Sequence, residues 1–173
     1  MASAKEDNNK RERIILGIDP GTATTGFGLL RVEGSQIRAI GWGAWRPQRT
    51  LTRAEKLYHL ATSLDQCIQQ FHPTSVSIEQ AFVGQNIQSA LRLGEARGAL
   101  MATCAQYQIP VHEYATATVK KVVAGNGRAS KEQIQFMTQK LLRLEKKPTP
   151  DDAADALGLA LTLALDGSII AQR

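Results

Sequence analysis

"RIILGIDPGTATTGFGLL" (residues 13–30) joins two apolar runs through a single carboxylate and a Pro-Gly turn. The first run is short and β-branched, which predicts a buried strand ending near Asp19. Pro20 and Gly21 turn the chain, and a second strand begins at TGFG. Asp19 is therefore either a turn former or a ligand placed at the end of a strand.

The chain has 173 residues, 43% of them hydrophobic, which is enough for one compact domain with a buried core. We predict a disordered polar tail over residues 1–12 and a single domain over residues 13–173. The tail lacks the apolar segment of a signal peptide, and no apolar run approaches the ~18 residues of a membrane span. We therefore expect a cytoplasmic protein with no membrane partner.

Neither the cysteines nor the histidines have the spacing of a zinc site. Cys67 and Cys104 stand far apart without a C-x-x-C pattern, and the three histidines are scattered. We expect both cysteines to be buried apolar residues.

The predicted elements alternate in a way that indicates an α/β fold. Three strands come first, with a turn at Gly34-Ser35 between the second and third, so an antiparallel meander is expected. Thr52 and Glu55 form a capping-box pattern that starts the first helix. The order βββαβα, then βα, then further helices predicts a five-stranded mixed sheet flanked by helices.

The last two helices also have recognisable starts and ends. KEQIQFMTQKLLRL, over residues 131–144, is predicted to be helical throughout. For the final helix, Thr149 is the expected N-cap and Pro150 the first helical residue, with Asp151 and Asp152 in the first turn.

The whole chain has a net charge of +5, and its positive charge is concentrated between Lys120 and Lys147. This stretch is either a phosphate-binding surface or a solvated helix face. Its basic residues, against only Glu132 and Glu145, are Lys120, Lys121, Arg128, Lys131, Lys140, Arg143, Lys146 and Lys147.

Four carboxylates stand at element ends. Asp19 and Glu79 end predicted strands, and Asp152 and Asp155 share one face of the last helix. Taken singly, each has an ordinary role as a turn, edge or cap residue. Taken together at one sheet edge they would repel one another, and divalent cations such as Mg²⁺ or Mn²⁺ would remove that cost. An acidic site beside a basic surface predicts a metal-dependent nuclease.

Other motifs are weaker. GTATTGFG lacks the Lys-Ser or Lys-Thr of a Walker phosphate loop, which disfavours that class of nucleotide binding. A row of small residues at four-residue steps either packs a helix on the sheet or forms a dimer interface; its members are Ala90, Gly94, Gly98 and Ala102.

Five blocks in order, between Arg13 and Leu165, carry a resemblance to a known family: ILGIDPGTATTGFG, SVSIEQAF, SALRLGEARGAL, VHEYATATVKKVVAGNGRASK and DAADALGLAL. Together they resemble the bacterial RuvC family, the Holliday junction resolvases of the ribonuclease-H-like superfamily. The resemblance implies a ribonuclease-H-like fold. It also implies a homodimer that binds four-way junction DNA and nicks two strands symmetrically, leaving 5'-phosphate and 3'-hydroxyl ends.

The resemblance also assigns residues. The catalytic acids fall on Asp19, Glu79, Asp152 and Asp155, which would hold two Mg²⁺ ions per subunit, with Mn²⁺ able to substitute; Asp151 lies outside the motif. The branch-migration proteins RuvA and RuvB are the implied partners.

The implied DNA contacts lie outside the acid set. The residue inserted near the junction centre matches Phe82, and the basic residues near the scissile phosphate match Lys120 and Lys131. Lys121 and Arg128 extend that basic surface.

Two other classes remain open at this stage. One is a related ribonuclease-H-like enzyme that cleaves structured RNA. The other is a catalytically silent junction-binding module or an actin-like ATPase-type fold.

Overall fold

The structure, a computed structural model, describes residues 12–21, 23–80 and 86–166. Phe82, residues 1–11 of the predicted tail and residues 167–173 of the predicted domain lie outside these ranges. Glu12 belongs to the described part, where its carboxylate pairs with the Arg31 guanidinium at 2.8 Å.

The described ranges hold strands and helices in the predicted order. The strands are β1 (Arg13–Asp19), β2 (Thr25–Glu33), β3 (Gln36–Trp45), β4 (Ser75–Glu79) and β5 (Val111–Tyr114). The helices are α1 (Arg53–Phe71), α2 (Ile87–Gln106), α3 (Thr116–Ala124), α4 (Lys131–Leu141) and α5 (Asp151–Leu165).

The strands form one mixed sheet in the order β3-β2-β1-β4-β5. β1, β2 and β3 are the predicted antiparallel meander, and β4 and β5 add to it in parallel with β1. The turn between β2 and β3 contains Gly34, whose φ of 60° suits a residue without a Cβ. The predicted α/β class and five-stranded mixed sheet are confirmed.

Helices cover both faces of the sheet, so β1 at its centre is buried on both sides. Leu16 and Ile18 of β1 belong to a core with α1 and α2, and Ile15 belongs to a second core with α3, α4 and α5. All three side chains are fully buried. Cys67 and Cys104 lie in the first of these cores as free, buried thiols, as predicted.

Helix α5 sits unusually close to the sheet because glycines face it. A Cβ at Gly17 would lie 2.0 Å from the Ala156 carbonyl oxygen, and one at Gly26 would lie 2.0 Å from the Asp152 carbonyl oxygen. No side chain fits in either place. The backbone of α5 therefore rests directly on β1 and β2.

Two predicted helix boundaries are wrong. Pro150, not Thr149, is the N-cap of α5, because its ψ of 175° is extended and its carbonyl accepts from the Ala153 N–H. Helix α4 ends at Leu141 and not at Leu144, because Arg143 adopts a left-handed φ of 52° that stops the helix.

The capping box that starts α1 is confirmed, with the Thr52 and Glu55 side chains each bonded to the other's backbone N–H. Within the described ranges, no helix is both long and apolar enough to cross a membrane.

Gly26→Ala tests the close contact of α5 with the sheet. The new methyl group must displace the Asp152 backbone, so we expect a loss of about 3 kcal/mol in the free energy of unfolding, measured by chemical denaturation. Gly127→Ala is the control, because the nearest atom to a Cβ there is the Ala117 carbonyl oxygen at 3.5 Å, an ordinary contact distance. Equal stability of the Gly26→Ala variant and the parent would contradict the contact.

Candidate active site

A cavity of 320 Å³ opens where β1 and β4 end, on the α5 side of the sheet. It brings together three of the four predicted acids and two of the predicted basic residues. The residues that line it are Asp19, Glu79, Thr116, Val119, Lys120, Lys131, Ile134, Asp155 and Leu159.

The fourth acid, Asp152, does not line this cavity but is held next to it. Its backbone contacts Gly26, and Gly26 is the β2 partner of Asp19 across the antiparallel ladder. The negative charge of Asp152 also contributes to the raised pKa of Asp19. The ends of β1 and β4 and the first turns of α5 therefore bring all four acids close enough for their charges to interact.

Asp19 is the acid most affected by this arrangement. Its pKa is raised from 3.8 to about 7, mainly by burial and also by the charges of Glu79, Asp155 and Asp152, against a lowering by Lys131. Positive charge added nearby would lower this pKa again.

Two residues that sequence reasoning missed hold Glu79 in place. The Thr116 hydroxyl donates to the Glu79 carboxylate, with 2.6 Å between Oγ1 and Oε1. The guanidinium of Arg97 in α2 donates to the Glu79 backbone carbonyl and, at 2.5 Å, to the Glu113 carboxylate. Arg97 is only 7% exposed. Its signal in the sequence was a charged residue on the apolar side of a helix, next to Ala96 and one turn before Leu100.

Lys131 enters the cavity from the first turn of α4. The capping box of Ser130 and Gln133 fixes the start of that helix. The Lys131 Nζ lies 2.9 Å from Asp155 Oδ2, and this hydrogen bond raises the lysine pKa. Burial nevertheless raises the pKa of Asp155, despite the opposing effect of the lysine.

The remaining predicted basic residues lie outside the cavity lining. Lys121 and Arg128 are exposed to solvent, Lys121 one position along α3 from the cavity-lining Lys120. Asp151, which lies outside the resembled motif, is exposed and pairs with Lys147 at 3.3 Å.

The four acids are chemically suited to bind a divalent cation, but their described side chains are not arranged as a preformed metal site. All four offer carboxylate oxygens, the ligands that Mg²⁺ prefers. Among the residues that the structure describes, no three His, Cys, Asp or Glu side chains form a ready-made metal cluster. Asp155 is instead engaged by Lys131, and Glu79 by Thr116.

The row of small residues on α2 faces away from the sheet. Gly94, Gly98 and Ala102 are exposed, and nothing lies within 4 Å of a Cβ at either glycine. Ala90 is partly exposed, and Leu91 beside it is 60% exposed. The alternative in which this row packs on the sheet is therefore wrong.

Asp19→Asn tests the electrostatic cost of the acidic site. The native protein keeps the Asp19 proton to higher pH than the unfolded chain does, so this carboxyl lowers stability as pH rises from about 4 to 7. In EDTA at about pH 8 we expect the variant to be more stable than the parent, on the order of a few kcal/mol. The difference should shrink towards zero below about pH 4. Thermal unfolding at both pH values measures it, and equal Tm values near pH 8 would disprove it.

Comparison with known proteins identifies the fold and the family. Residues 15–163 match the family model described as crossover junction endodeoxyribonuclease RuvC. A relative of that name from Protochlamydia amoebophila is 46% identical over 148 residues, covering 86% of this chain and 88% of the relative. Another from Heliobacterium modesticaldum is 43% identical over 151 residues, covering 87% of this chain and 93% of the relative.

Solved structures agree with the sequence relatives. T. thermophilus RuvC in complex with a Holliday junction substrate is similar with a TM-score of 0.85 and 28% identity, covering 91% of this chain and 96% of that one. The yeast mitochondrial Holliday junction resolvase Ydc2, at 13% identity and a TM-score of 0.59, shares the fold. The fold is ribonuclease-H-like, as predicted, and the chain belongs to the RuvC family of crossover junction endodeoxyribonucleases.

Proposed function

We propose that this protein is a nuclease that resolves Holliday junctions in recombination and DNA repair, with the acidic cavity as its active site. The observation that carries the proposal is the convergence of Asp19, Glu79 and Asp155 with Lys120 and Lys131 in one cavity of a RuvC-family chain. Junction DNA is the substrate present in the similar T. thermophilus structure.

The family is one of metal-dependent nucleases. We infer that Asp19, Glu79, Asp152 and Asp155 would hold two Mg²⁺ ions per subunit, with Mn²⁺ able to substitute. When bound, such ions stabilise negative charge on the attacking and leaving oxygens of phosphodiester hydrolysis. The raised pKa of Asp19 supports this assignment, because burial and the neighbouring carboxylates both oppose its negative charge and a bound cation would offset both.

The protein's own groups supply positioning and charge. Thr116 orients one carboxylate oxygen of Glu79, and Arg97 holds the strand end that carries it. Lys131, paired with Asp155 in this structure, and Lys120 face the space where a scissile phosphate would lie. Cleavage on this pattern leaves 5'-phosphate and 3'-hydroxyl ends.

Further contacts with DNA belong to the same proposal. Phe82 follows β4 closely in sequence and would insert near the junction centre. Lys121 and Arg128 are exposed and would bind phosphates beyond the cavity. These contacts would add affinity that falls as salt rises.

Paired nicks on two strands require two sites at a fixed separation, which a twofold homodimer provides. The surface we assign to that contact is the row on α2 of partly exposed Ala90 and exposed Gly94 and Gly98, beside the exposed Ile87 and Leu91. RuvA and RuvB are the partners proposed by resemblance, and the cytoplasm is the proposed compartment.

Asp152→Asn tests the acid assignment. The amide keeps the size of the side chain but removes its charge, so we expect junction binding to persist while nicking in Mg²⁺ falls at least about a hundredfold. The assay compares a mobile four-way junction, a matched linear duplex and a structured RNA, with and without Mg²⁺. Asp151→Asn is the matched control and should nick normally.

A parent protein that cleaves the RNA in preference to the junction would overturn the proposed substrate. Normal nicking by Asp152→Asn would overturn the assignment of the acids while leaving the substrate in place.

Gly98→Leu tests the dimer surface. A Cβ at Gly98 meets nothing within 4 Å in the subunit, so the subunit should fold normally while the bulky side chain keeps two α2 helices apart. We expect sedimentation equilibrium to show a dimer for the parent and a monomer for the variant. Gln66→Leu, on the exposed face of α1, is the control and should remain dimeric. A dimeric Gly98→Leu would exclude this face.

A further inference from the structure

A second cavity lies at the same edge of the sheet as the acidic site, on the face covered by α1 and α2. Its volume is 440 Å³. Its lining comes from the turn after β1, the segment after β3, the first half of α1 and the middle of α2, namely Ala23, Pro47, Arg53, Lys56, Leu57, Leu60, Arg92, Glu95 and Ala96. β1 and β3 run in the same direction, so the segments that follow them leave the sheet at one edge.

The charges of this basic cavity do not cancel. Arg53 holds Glu95 through two hydrogen bonds, one of them 2.5 Å from Nε to Oε2, and this pair is neutral. Lys56 donates to the Arg49 carbonyl oxygen at 3.2 Å and pairs with no carboxylate in the described part of the chain. Among the described residues, the exposed Arg92 side chain has neither a hydrogen bond nor an ion pair. Two positive charges, Lys56 and Arg92, are therefore available to an anion.

The floor of the basic cavity is apolar. Leu57, Leu60 and Ala96 line it without offering polar groups that could read base edges. A cavity with cationic walls over apolar side chains suits a phosphate, for which arginine supplies a fork of donors and lysine a point charge. Contacts of this kind position a nucleic acid without reading its sequence.

The position of the basic cavity indicates which phosphate-bearing molecule it would bind. Asp19 ends β1 and lines the acidic cavity, and Ala23, four residues later, lines the basic one. Lys120 and Lys131 supply positive charge on the α5 side of the sheet edge, and the basic cavity supplies it on the α1 side. A polyanion lying across the acidic site would thus meet cations on both sides, which offsets its repulsion by the four carboxylates.

We propose that this basic cavity is a second phosphate-binding site, in which Lys56 and Arg92 hold the backbone of the DNA strand that extends from the acidic site. The inference rests on the proposed function, since it takes junction DNA as the ligand. It assigns these two residues to substrate positioning and gives them no part in the hydrolysis itself.

Lys56→Gln and Arg92→Gln, separately and combined, test the basic cavity. Binding of a fluorescent four-way junction is measured by anisotropy, without divalent metal, over a series of salt concentrations. We expect the double variant to bind about tenfold more weakly and its slope of log K against log salt to become shallower by about one to two units, near 0.9 for each lost phosphate contact. Each single variant should show part of the effect.

Arg38→Gln is the matched control. It removes the same charge from an exposed side chain near the start of β3, whereas the basic cavity lies beyond the end of that strand. The variant should leave both the affinity and the salt slope unchanged. An equal loss in Arg38→Gln, or an unchanged salt slope in the double variant, would overturn the proposal. Circular dichroism and Tm confirm folding, and if Lys56→Gln fails to fold, Arg92→Gln alone decides the outcome.

Nicking with saturating enzyme in Mg²⁺ separates this inference from the proposed function. The double variant should nick bound junctions at the parent rate, because its acids are intact. If the parent nicks junctions and the double variant binds them as tightly, the basic cavity is excluded and the proposed function stands. If the parent neither binds nor nicks junctions, the proposed function fails and the phosphate site fails with it.

Discussion

The backbone contact between α5 and the centre of the sheet is the constraint on which the site depends. Gly17 and Gly26 leave no Cβ between the strands and the helix, so Asp152 and Asp155 arrive beside the end of β1. A larger residue at either glycine would move the helix outward, and the acids with it. Packing geometry thus decides where the acids lie, because α5 both packs in the core and lines the candidate active site.

That packing concentrates negative charge at one sheet edge, and the surrounding structure only partly offsets it. The Lys131 ammonium pairs with Asp155, while burial keeps the pKa of Asp19 near neutral pH. The site is thereby less stable than an ordinary polar surface would be. Such a cost is typical of functional sites, where the fold sustains an arrangement that stability alone would not select.

The sequence predicted those parts of the site that depend on residues close together in the chain. The strand ends at Asp19 and Glu79 and the three-residue spacing of Asp152 and Asp155 follow from periodicity and turn residues. The hydrogen bonds from Thr116 and Arg97 to Glu79 could not be predicted, because they join residues 37 and 18 positions apart in the chain. We predicted the start of α5 one residue too early, because the φ that proline fixes suits both the N-cap position and the first helical position.

Arg97 links α2, whose outer face is exposed, to the end of β4 that carries Glu79. Its helix, α2, presents exposed Leu91, Gly94 and Gly98 to the outside, while its buried guanidinium bonds the carbonyl of Glu79. A displacement of α2 along its axis would therefore pull on the backbone of an active-site acid through hydrogen bonds, and not only through side-chain packing. With the proposed dimer contact on α2, the same helix would support both subunit assembly and the position of Glu79.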